Sequence, residues 1–407
     1  MIKKLIISFF LILFSVQFVS AFTEFEEFKK KQGQEFRGYS DAVAKDFYKY
    51  KKELVESFTN YKKKASKVWG KKNAVMPNKK VWVQYRDNMR ERNIVDFEKG
   101  QAVVEIAVTS DESKDKKKLI KKIKKAVETT IISKPDNRSI IEISKKPDRV
   151  IEDKKSEPVL KDQVVDENGK IVNKGNVEQF ASNLIKKKKI KVKSIKGSDG
   201  KKRLVVSVSF PLVPGHLKKR VARYKDIVLK ESGKRSLSPK LVFAIMETES
   251  AFNPTAKSPV PAFGLMQLVP VSGGRDAYKL VHGKDMAPTD KYLYNPANNV
   301  ELGAAYFYIV YYRYLGRIKN KTSRLWCAIA SYNTGVGNLL NTFAGKYSKK
   351  RFKNRKQWKN KAFDKINSMS SEQVYDFLRK KLPYEETRNY VVKVRSRMPK
   401  YDFKGKI

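Results

Sequence analysis

The hydrophobic period of the chain changes once, between Phe210 and Leu217, and that change limits the possible folds more than any other feature. Upstream of it, Val81-Trp82-Val83-Gln84-Tyr85 and Ala102-Val103-Val104-Glu105-Ile106-Ala107-Val108 read as strands. Asp166-Glu167-Asn168-Gly169, between Val164-Val165 and Ile171-Val172, predicts a hairpin, and Ser198-Asp199-Gly200 predicts another between Ile190 to Ile195 and Leu204 to Phe210. Two helices are interspersed. Val43, Phe47, Tyr50, Leu54, Phe58 and Tyr61 recur every three or four residues across 38–69, with Gly70 as a stop, and residues 116–131 form a Lys-rich helical segment. Pro211, Pro214 and Gly215 then break the pattern, and from Leu217 helical spacing dominates almost to the end. The fold class that follows is α+β, with a mixed α+β domain over 22–213 and a mainly α-helical domain over 214–407.

A chain of 407 residues with 41% hydrophobic content can bury two ordinary cores. The 89 Lys and Arg against 42 Asp and Glu leave a net charge of +47, which calls for a polyanionic partner or surface. Nucleic acid is the first suspect by charge alone, and residues 1–21 oppose it. Lys3 and Lys4 precede the apolar run Leu5 to Val19, and Val19-Ser20-Ala21 supplies small residues at a cleavage position, the anatomy of a secretory signal peptide. The run is short for a membrane span, so an uncleaved N-terminal anchor is the weaker alternative. The Lys runs at 116–118 and 186–189 read as solvated faces without interleaved aromatics, and no nucleic-acid partner is expected.

Cys327 is the only cysteine, which excludes an intramolecular disulfide, and in Trp326-Cys327-Ala328-Ile329-Ala330 it reads as a small core residue. With His216 and His282 the only histidines, a metal site has few ligands to draw on, and neither a metal nor a cofactor is expected.

The segment Ala244-Ile245-Met246-Glu247-Thr248-Glu249-Ser250-Ala251-Phe252-Asn253-Pro254 carries the chemistry. At helical spacing Leu241, Ile245 and Glu249 form one stripe, while Glu247 points about 200° away from Glu249. Asn253-Pro254 disfavours continuation, so Glu249 sits at a helix end that can open into a groove. A carboxyl packed against apolar side chains is poorly solvated and is expected to hold a proton near neutral pH, the state a general acid needs. An isolated Glu at a helix end is usually only a surface charge, so its neighbours decide the matter.

Four more blocks follow: Gly264-Leu265-Met266-Gln267, Asn295-Pro296-Ala297-Asn298-Asn299, Ser331-Tyr332-Asn333-Thr334-Gly335-Val336-Gly337, and Pro383-Tyr384-Glu385-Glu386-Thr387-Arg388-Asn389-Tyr390-Val391. Gly303, Ala304 and Ala305, after the second of them, allow close helix packing. Each block alone is weak. In this order, after a helix ending in Glu-Ser, they resemble the lytic transglycosylases with a soluble-lytic-transglycosylase, goose-lysozyme-like catalytic domain. The resemblance covers roughly residues 217–398. Val81 to Val108 and Pro214-Gly215-His216-Leu217-Lys218-Lys219-Arg220 are similar to the membrane-bound lytic murein transglycosylase C branch. That branch is lipidated on a cysteine directly after its signal, whereas Phe22 stands first after the expected cleavage point here. An exported periplasmic protein, soluble or associated with the membrane peripherally or through its N-terminus, is the expectation.

The resemblance implies a peptidoglycan lytic transglycosylase with Glu249 as acid and base. It implies substrate-facing roles for Ser250, Met266, Gln267, Tyr332, Asn333 and Tyr390, with core packing a close alternative for Tyr390 and packing under the cleft the stronger reading for Met266. It also makes the absence of an obvious second carboxylate intelligible, because the substrate's own C6 hydroxyl attacks. Asp276, Asp285 and Asp290 read as solvated loop acids. Peptidoglycan glycan strands bear stem-peptide carboxylates, which gives the positive charge a partner. The alternatives are a lysozyme-like hydrolase that activates water through a loop Asp, and a non-catalytic wall-binding protein.

Overall fold

The computed structural model describes residues 41–402 apart from 188–189 and 259–260. The signal segment at 1–21, the first residues of the helix expected over 38–69 and the end of the Lys run at 186–189 lie outside the described residues.

The N-terminal half runs α1 (Asp41–Trp69), β1 (Val81–Arg86), β2 (Glu91–Asp96), β3 (Gln101–Val108), α2 (Ser110–Lys114), α3 (Lys116–Ile132), α4 (Ile140–Lys145), α5 (Val177–Lys187), β4 (Lys191–Lys196) and β5 (Lys202–Pro211). The strands form one antiparallel sheet in the order β1-β2-β3-β5-β4. Period-two alternation divides it into two faces. Trp82, Ala102, Val104, Ile106, Val206, Val208 and Phe210 pack with Ile123, Ala126, Val127 and Ile131 of α3 and Ala181 and Leu184 of α5. Val83, Tyr85, Ala107 and Val205 point the other way, onto Leu54, Phe58, Tyr61, Ala65 and Trp69 of α1. Helices therefore cover both faces of the sheet.

Gly70 ends α1 with φ 76°, and a Cβ there would lie 2.5 Å from the Lys196 carbonyl oxygen, so both conformation and space require glycine. The hairpin expected at 164–172 is reduced to a single bridge, Val165 with Ile171, outside the sheet.

Strand β2 escapes the sequence reading because Glu91, Arg92, Asn93 and Asp96 hide its apolar alternation. Its burial depends on an ion pair. Arg92 faces Glu105 across the β2–β3 ladder, donates to it from Nε at 2.7 Å and to the Asn73 carbonyl at 2.7 Å, and lies 3.7 Å over the Trp69 ring. Both side chains are buried. Arg92→Ala leaves the buried Glu105 carboxylate with only the longer 3.9 Å approach of Lys193 Nζ, so a loss of about 3 kcal/mol in denaturant unfolding is expected, whereas Glu178→Ala on the exposed face of α5 should cost little.

The helical half contains α6 (His216–Lys234), α7 (Pro239–Ser250), α8 (Arg275–His282), α9 (Asp290–Tyr294), α10 (Pro296–Tyr308), α11 (Lys321–Thr334), α12 (Val336–Ala344), α13 (Arg355–Asn367), α14 (Ser371–Lys381) and α15 (Glu385–Arg397), closed by a 3₁₀ turn at Met398–Tyr401. Gly215, left-handed at φ 75°, turns the chain out of the sheet region into α6. The architecture is an antiparallel sheet with helices followed by a mainly helical region, as the change of hydrophobic period requires.

Contacts divide the described chain into two compact units. One comprises 52–313 with 393–402; the other comprises 314–392 with 41–51. Among the described residues no helix is long and apolar enough to cross a membrane.

Candidate active site

In the larger unit, α7 starts with Pro239 in its first turn, where the missing N–H costs nothing, and every residue from Leu241 to Ser250 is buried. The helix ends abruptly because Ala251 and Phe252 are both left-handed, at φ 47° and 59°. Such conformations cost on the order of 1 kcal/mol or more each and persist only where packing enforces them. Phe252 is held by rings of Phe243 and Tyr401, with centroids 6.4 and 6.1 Å away, and its carbonyl accepts a 2.6 Å hydrogen bond from Arg220 Nη2. Arg220 is itself buried, lies 3.8 Å over the Phe97 ring and donates to Gln163 Oε1 at 3.2 Å. Burial pushes its guanidinium down to about 9. The sharp end of α7 is thus braced by Arg220 of α6, which Phe97 and Gln163 hold in turn within the same unit.

The two carboxylates of α7 have different surroundings. Glu247, 4% exposed, accepts hydrogen bonds from Tyr401 Oη at 2.6 Å and Lys400 Nζ at 3.1 Å, and pairs with Arg397 Nε at 3.1 Å. Burial, and then this hydrogen bond to Glu247, hold the Tyr401 phenol far above its ordinary value. Glu247 therefore fastens the end of the chain onto α7. Glu249, 5% exposed in the last turn, has Lys79 Nζ 3.7 Å from Oε2. That distance is long for a hydrogen bond and within ion-pair range. To the apolar packing expected of Glu249 the structure adds a cation from the segment between α1 and β1, which no local pattern foretells.

Gly264-Leu265-Met266-Gln267 forms the tip of a tight reversal closed by paired hydrogen bonds between Phe263 and Leu268, 3.0 and 3.1 Å long. Gly264 at φ 73° and Gln267 at φ 49° make the turn. A Cβ on Gly264 would come within 2.3 Å of Asn299 Nδ2 and 2.4 Å of the Leu293 carbonyl oxygen. Asn299, fully buried, holds the reversal with its whole amide. Oδ1 accepts from Met266 N at 2.8 Å, and Nδ2 donates to the Phe263 and Leu293 carbonyls at 2.9 and 2.8 Å. The Asn-Pro-x-x-Asn block acquires a physical meaning here. Asn295 caps α10 by accepting from the Ala297 and Asn298 amides, Pro296 fills the first turn, and Asn299 clamps the neighbouring loop.

Ser250 ties the acid-bearing helix to the same loop. It is fully buried, and its hydroxyl donates to the Leu265 carbonyl at 2.7 Å and lies 3.1 Å from that of Met246. With its proton given to backbone, the Ser250 hydroxyl fastens the helix end to the loop and keeps a lone pair able to accept a hydrogen bond. Met266 is fully buried, and a Cβ on Gly303 would lie 2.2 Å from its Sδ, so the methionine occupies space that glycine leaves open on α10. Gln267 donates from Nε2 to the Gly264 carbonyl at 2.9 Å, while its buried Oε1 has no hydrogen-bond partner among the described residues. An acceptor in that state suits a ligand N–H or O–H. Glu249, Ser250, Met266 and Gln267 are thus joined through one helix end and one loop.

Close by in sequence, burial pushes the Lys257 ammonium down to about 8. It donates to the Asp136 carbonyl at 3.2 Å and stands 4.3 Å over the Tyr294 ring. Asp285 is engaged by Arg275 and by Lys279 at 3.1 Å on an exposed loop, a solvated acid as the sequence suggests.

The smaller unit holds the remaining sequence candidates. Tyr332 is buried in the last turn of α11, which Gly335 ends at φ 85°. Asn333 Oδ1 accepts a 2.7 Å hydrogen bond from Thr387 Oγ1, so the Tyr-Asn block and the Glu-Thr-Arg block are physically joined. Tyr390, 4% exposed, lies one turn farther along α15. Cys327 is buried in α11 and burial raises its thiol, as expected of a core residue.

Two family models match successive parts of the chain. Residues 226–355 match the model of the transglycosylase SLT domain, and residues 47–223 match that of the membrane-bound lytic murein transglycosylase C N-terminal domain. Membrane-bound lytic murein transglycosylase C of Yersinia enterocolitica is 35% identical over 335 residues, covering 82% of this chain and 86% of that protein. The protein of the same name from Yersinia pestis is 34% identical over 335 residues with the same coverage. Among solved structures, the 70 kDa soluble lytic transglycosylase from Escherichia coli aligns with 43% of this chain and 23% of its own, at 23% identity and a TM-score of 0.32. On the strength of the sequence relatives, whose likeness spans both the sheet region and the helical region, this chain belongs to the membrane-bound lytic murein transglycosylase C family.

Proposed function

We propose that the chain is a peptidoglycan lytic transglycosylase that cleaves the β-1,4 bond between N-acetylmuramic acid and N-acetylglucosamine, with Glu249 as acid and then base. Besides family membership, the observation that carries this reading is the contrast on α7. Glu247 is consumed by Arg397, Lys400 and Tyr401, while Glu249 stands at the strained helix end beside the loop that Asn299 clamps.

Glu249 gives its proton to the glycosidic oxygen as the bond to muramyl C1 breaks, so N-acetylglucosamine departs as an alcohol and positive charge builds at C1 and the ring oxygen. The carboxylate left behind takes the proton of the muramyl C6 hydroxyl, and O6 bonds to C1. Glu249 ends protonated, as it began, and no water is consumed. A single carboxylate suffices because the nucleophile is already part of the substrate.

To Gln267 Oε1 we assign acceptance of a hydrogen bond from the sugar or its acetamide, to Met266 support of the floor, and to Ser250 the holding of the loop in register with Glu249, readings supported by the unpartnered Oε1 and the Ser250–Leu265 bond. Tyr332, Asn333 and Tyr390 are assigned to holding the glycan. We assign 1–21 to a signal peptide, 22–213 to an N-terminal domain that docks the enzyme on the wall, and 214–407 to the lysozyme-like catalytic domain, with the mature protein periplasmic and associated with the membrane. Digestion of purified sacculi, with the products weighed, tests the reading. A protein that binds sacculi but releases nothing from them would leave only the wall-binding alternative.

A further inference from the structure

Lys79 stands beside the acid although the catalytic motifs do not contain it. It lies in the connection between α1 and β1, far upstream of Glu249 in sequence, yet its Nζ stands 3.7 Å from Oε2 of that buried carboxyl. Its side chain is 32% exposed against 6% for Glu249, so it spans from solvent to the acid. Its neighbour Lys80 turns away to pair with Glu98.

Neighbouring charges at this helix end are engaged elsewhere. Glu247 is held by Arg397, Lys400 and the Tyr401 hydroxyl, and Arg397 also reaches Glu98 at 3.2 Å and donates to Thr248 Oγ1 at 2.9 Å.

We propose, resting on the assignment of Glu249 as the acid, that Lys79 is a positioning residue from the N-terminal region that sets the proton affinity of Glu249 and orients its carboxyl. A cation a few ångströms from a carboxyl favours its ionised form. Lys79 therefore stabilises the negative charge that appears on Glu249 as it releases its proton to the leaving oxygen, and it draws the carboxylate toward one side of the groove. The same attraction narrows the pH range over which Glu249 starts protonated. The N-terminal region thereby reaches into the chemistry as well as the fold.

The experiment is the pH–rate profile of the full chain on murein, at low salt, for wild type, Lys79→Met and Lys79→Arg, with melting temperatures to establish that each is folded. The alkaline limb reports loss of the proton from Glu249. Removing the cation raises that group's proton affinity, so Lys79→Met should move the limb upward by about one pH unit, and the shift should shrink as salt screens the pair in wild type. Lys79→Arg, which keeps the charge, should retain the wild-type limb. If Lys79→Met does not fold, the wild-type limb still decides, because raising the salt should carry it upward toward the uncoupled position. Coincident limbs, a limb unmoved by salt, or equal shifts in the Met and Arg variants would overturn the proposal. An active Glu249→Gln would instead overturn the assignment of the acid, so the two failures are distinguishable.

Discussion

Glu249→Gln should lower turnover on murein by at least about 100-fold and up to about 10,000-fold, the range that a general acid–base group contributes. The amide has the shape of the carboxyl and sits in the same 5% exposed position, so folding should survive. Binding to sacculi should persist, because the long-range attraction comes from a chain carrying +47. Glu247→Gln is the control. It weakens the contacts of Arg397 and Lys400 and leaves Tyr401 a hydrogen-bond acceptor, so it should lower the melting temperature with a smaller effect on turnover measured well below that temperature. A reversed ranking in turnover would move the chemistry to Glu247.

Asn299→Ala is expected to have the second largest effect. It removes one buried amide that makes three hydrogen bonds of 2.8 to 2.9 Å, with the Met266 N–H and the Leu293 and Phe263 carbonyls, of which the last keeps its bond from Leu268 N. Each stranded buried group costs about 1–3 kcal/mol, and partial relaxation makes about 3–5 kcal/mol the expected total. Thermal unfolding should report a fall on the order of 10 °C. The turn that carries Met266 and Gln267 loses its clamp, so turnover at a temperature where the variant is folded should also fall, by about tenfold or more. Loss of stability with undiminished turnover would mean that the loop does not shape the groove. Asn299→Asp is no rescue, because it turns an acceptor toward two carbonyl oxygens.

The sequence shows where residue types follow a period and is silent where tertiary partners override it. β1, β3 and β5 were legible because apolar side chains alternate, and the end of α1 was legible because Gly70 takes φ 76°. β2 was not, since its Arg92 is buried only by virtue of Glu105 on the next strand and Trp69 on a helix. Helical spacing separated Glu247 from Glu249 correctly in direction. It did not foresee that both would be buried, because the partners of Glu247 come from the last residues described and a cation beside Glu249 comes from near the first sheet strand. The motif blocks were visible as a series of words. That Asn299 holds the Gly-Leu-Met-Gln turn, and that Ser250 gives its proton to Leu265, are contacts across 33 and 15 residues that no local pattern encodes.

The most direct test of a single-carboxylate, water-free mechanism is the mass of the sugar ends released from sacculi by the wild-type protein, with Glu249→Gln run beside it. Products ending in 1,6-anhydro-N-acetylmuramic acid, one water lighter than reducing ends, are expected from wild type and should be nearly absent with the variant. Reducing ends from wild type would contradict attack by the C6 hydroxyl and require a water-activating group that this site does not assign.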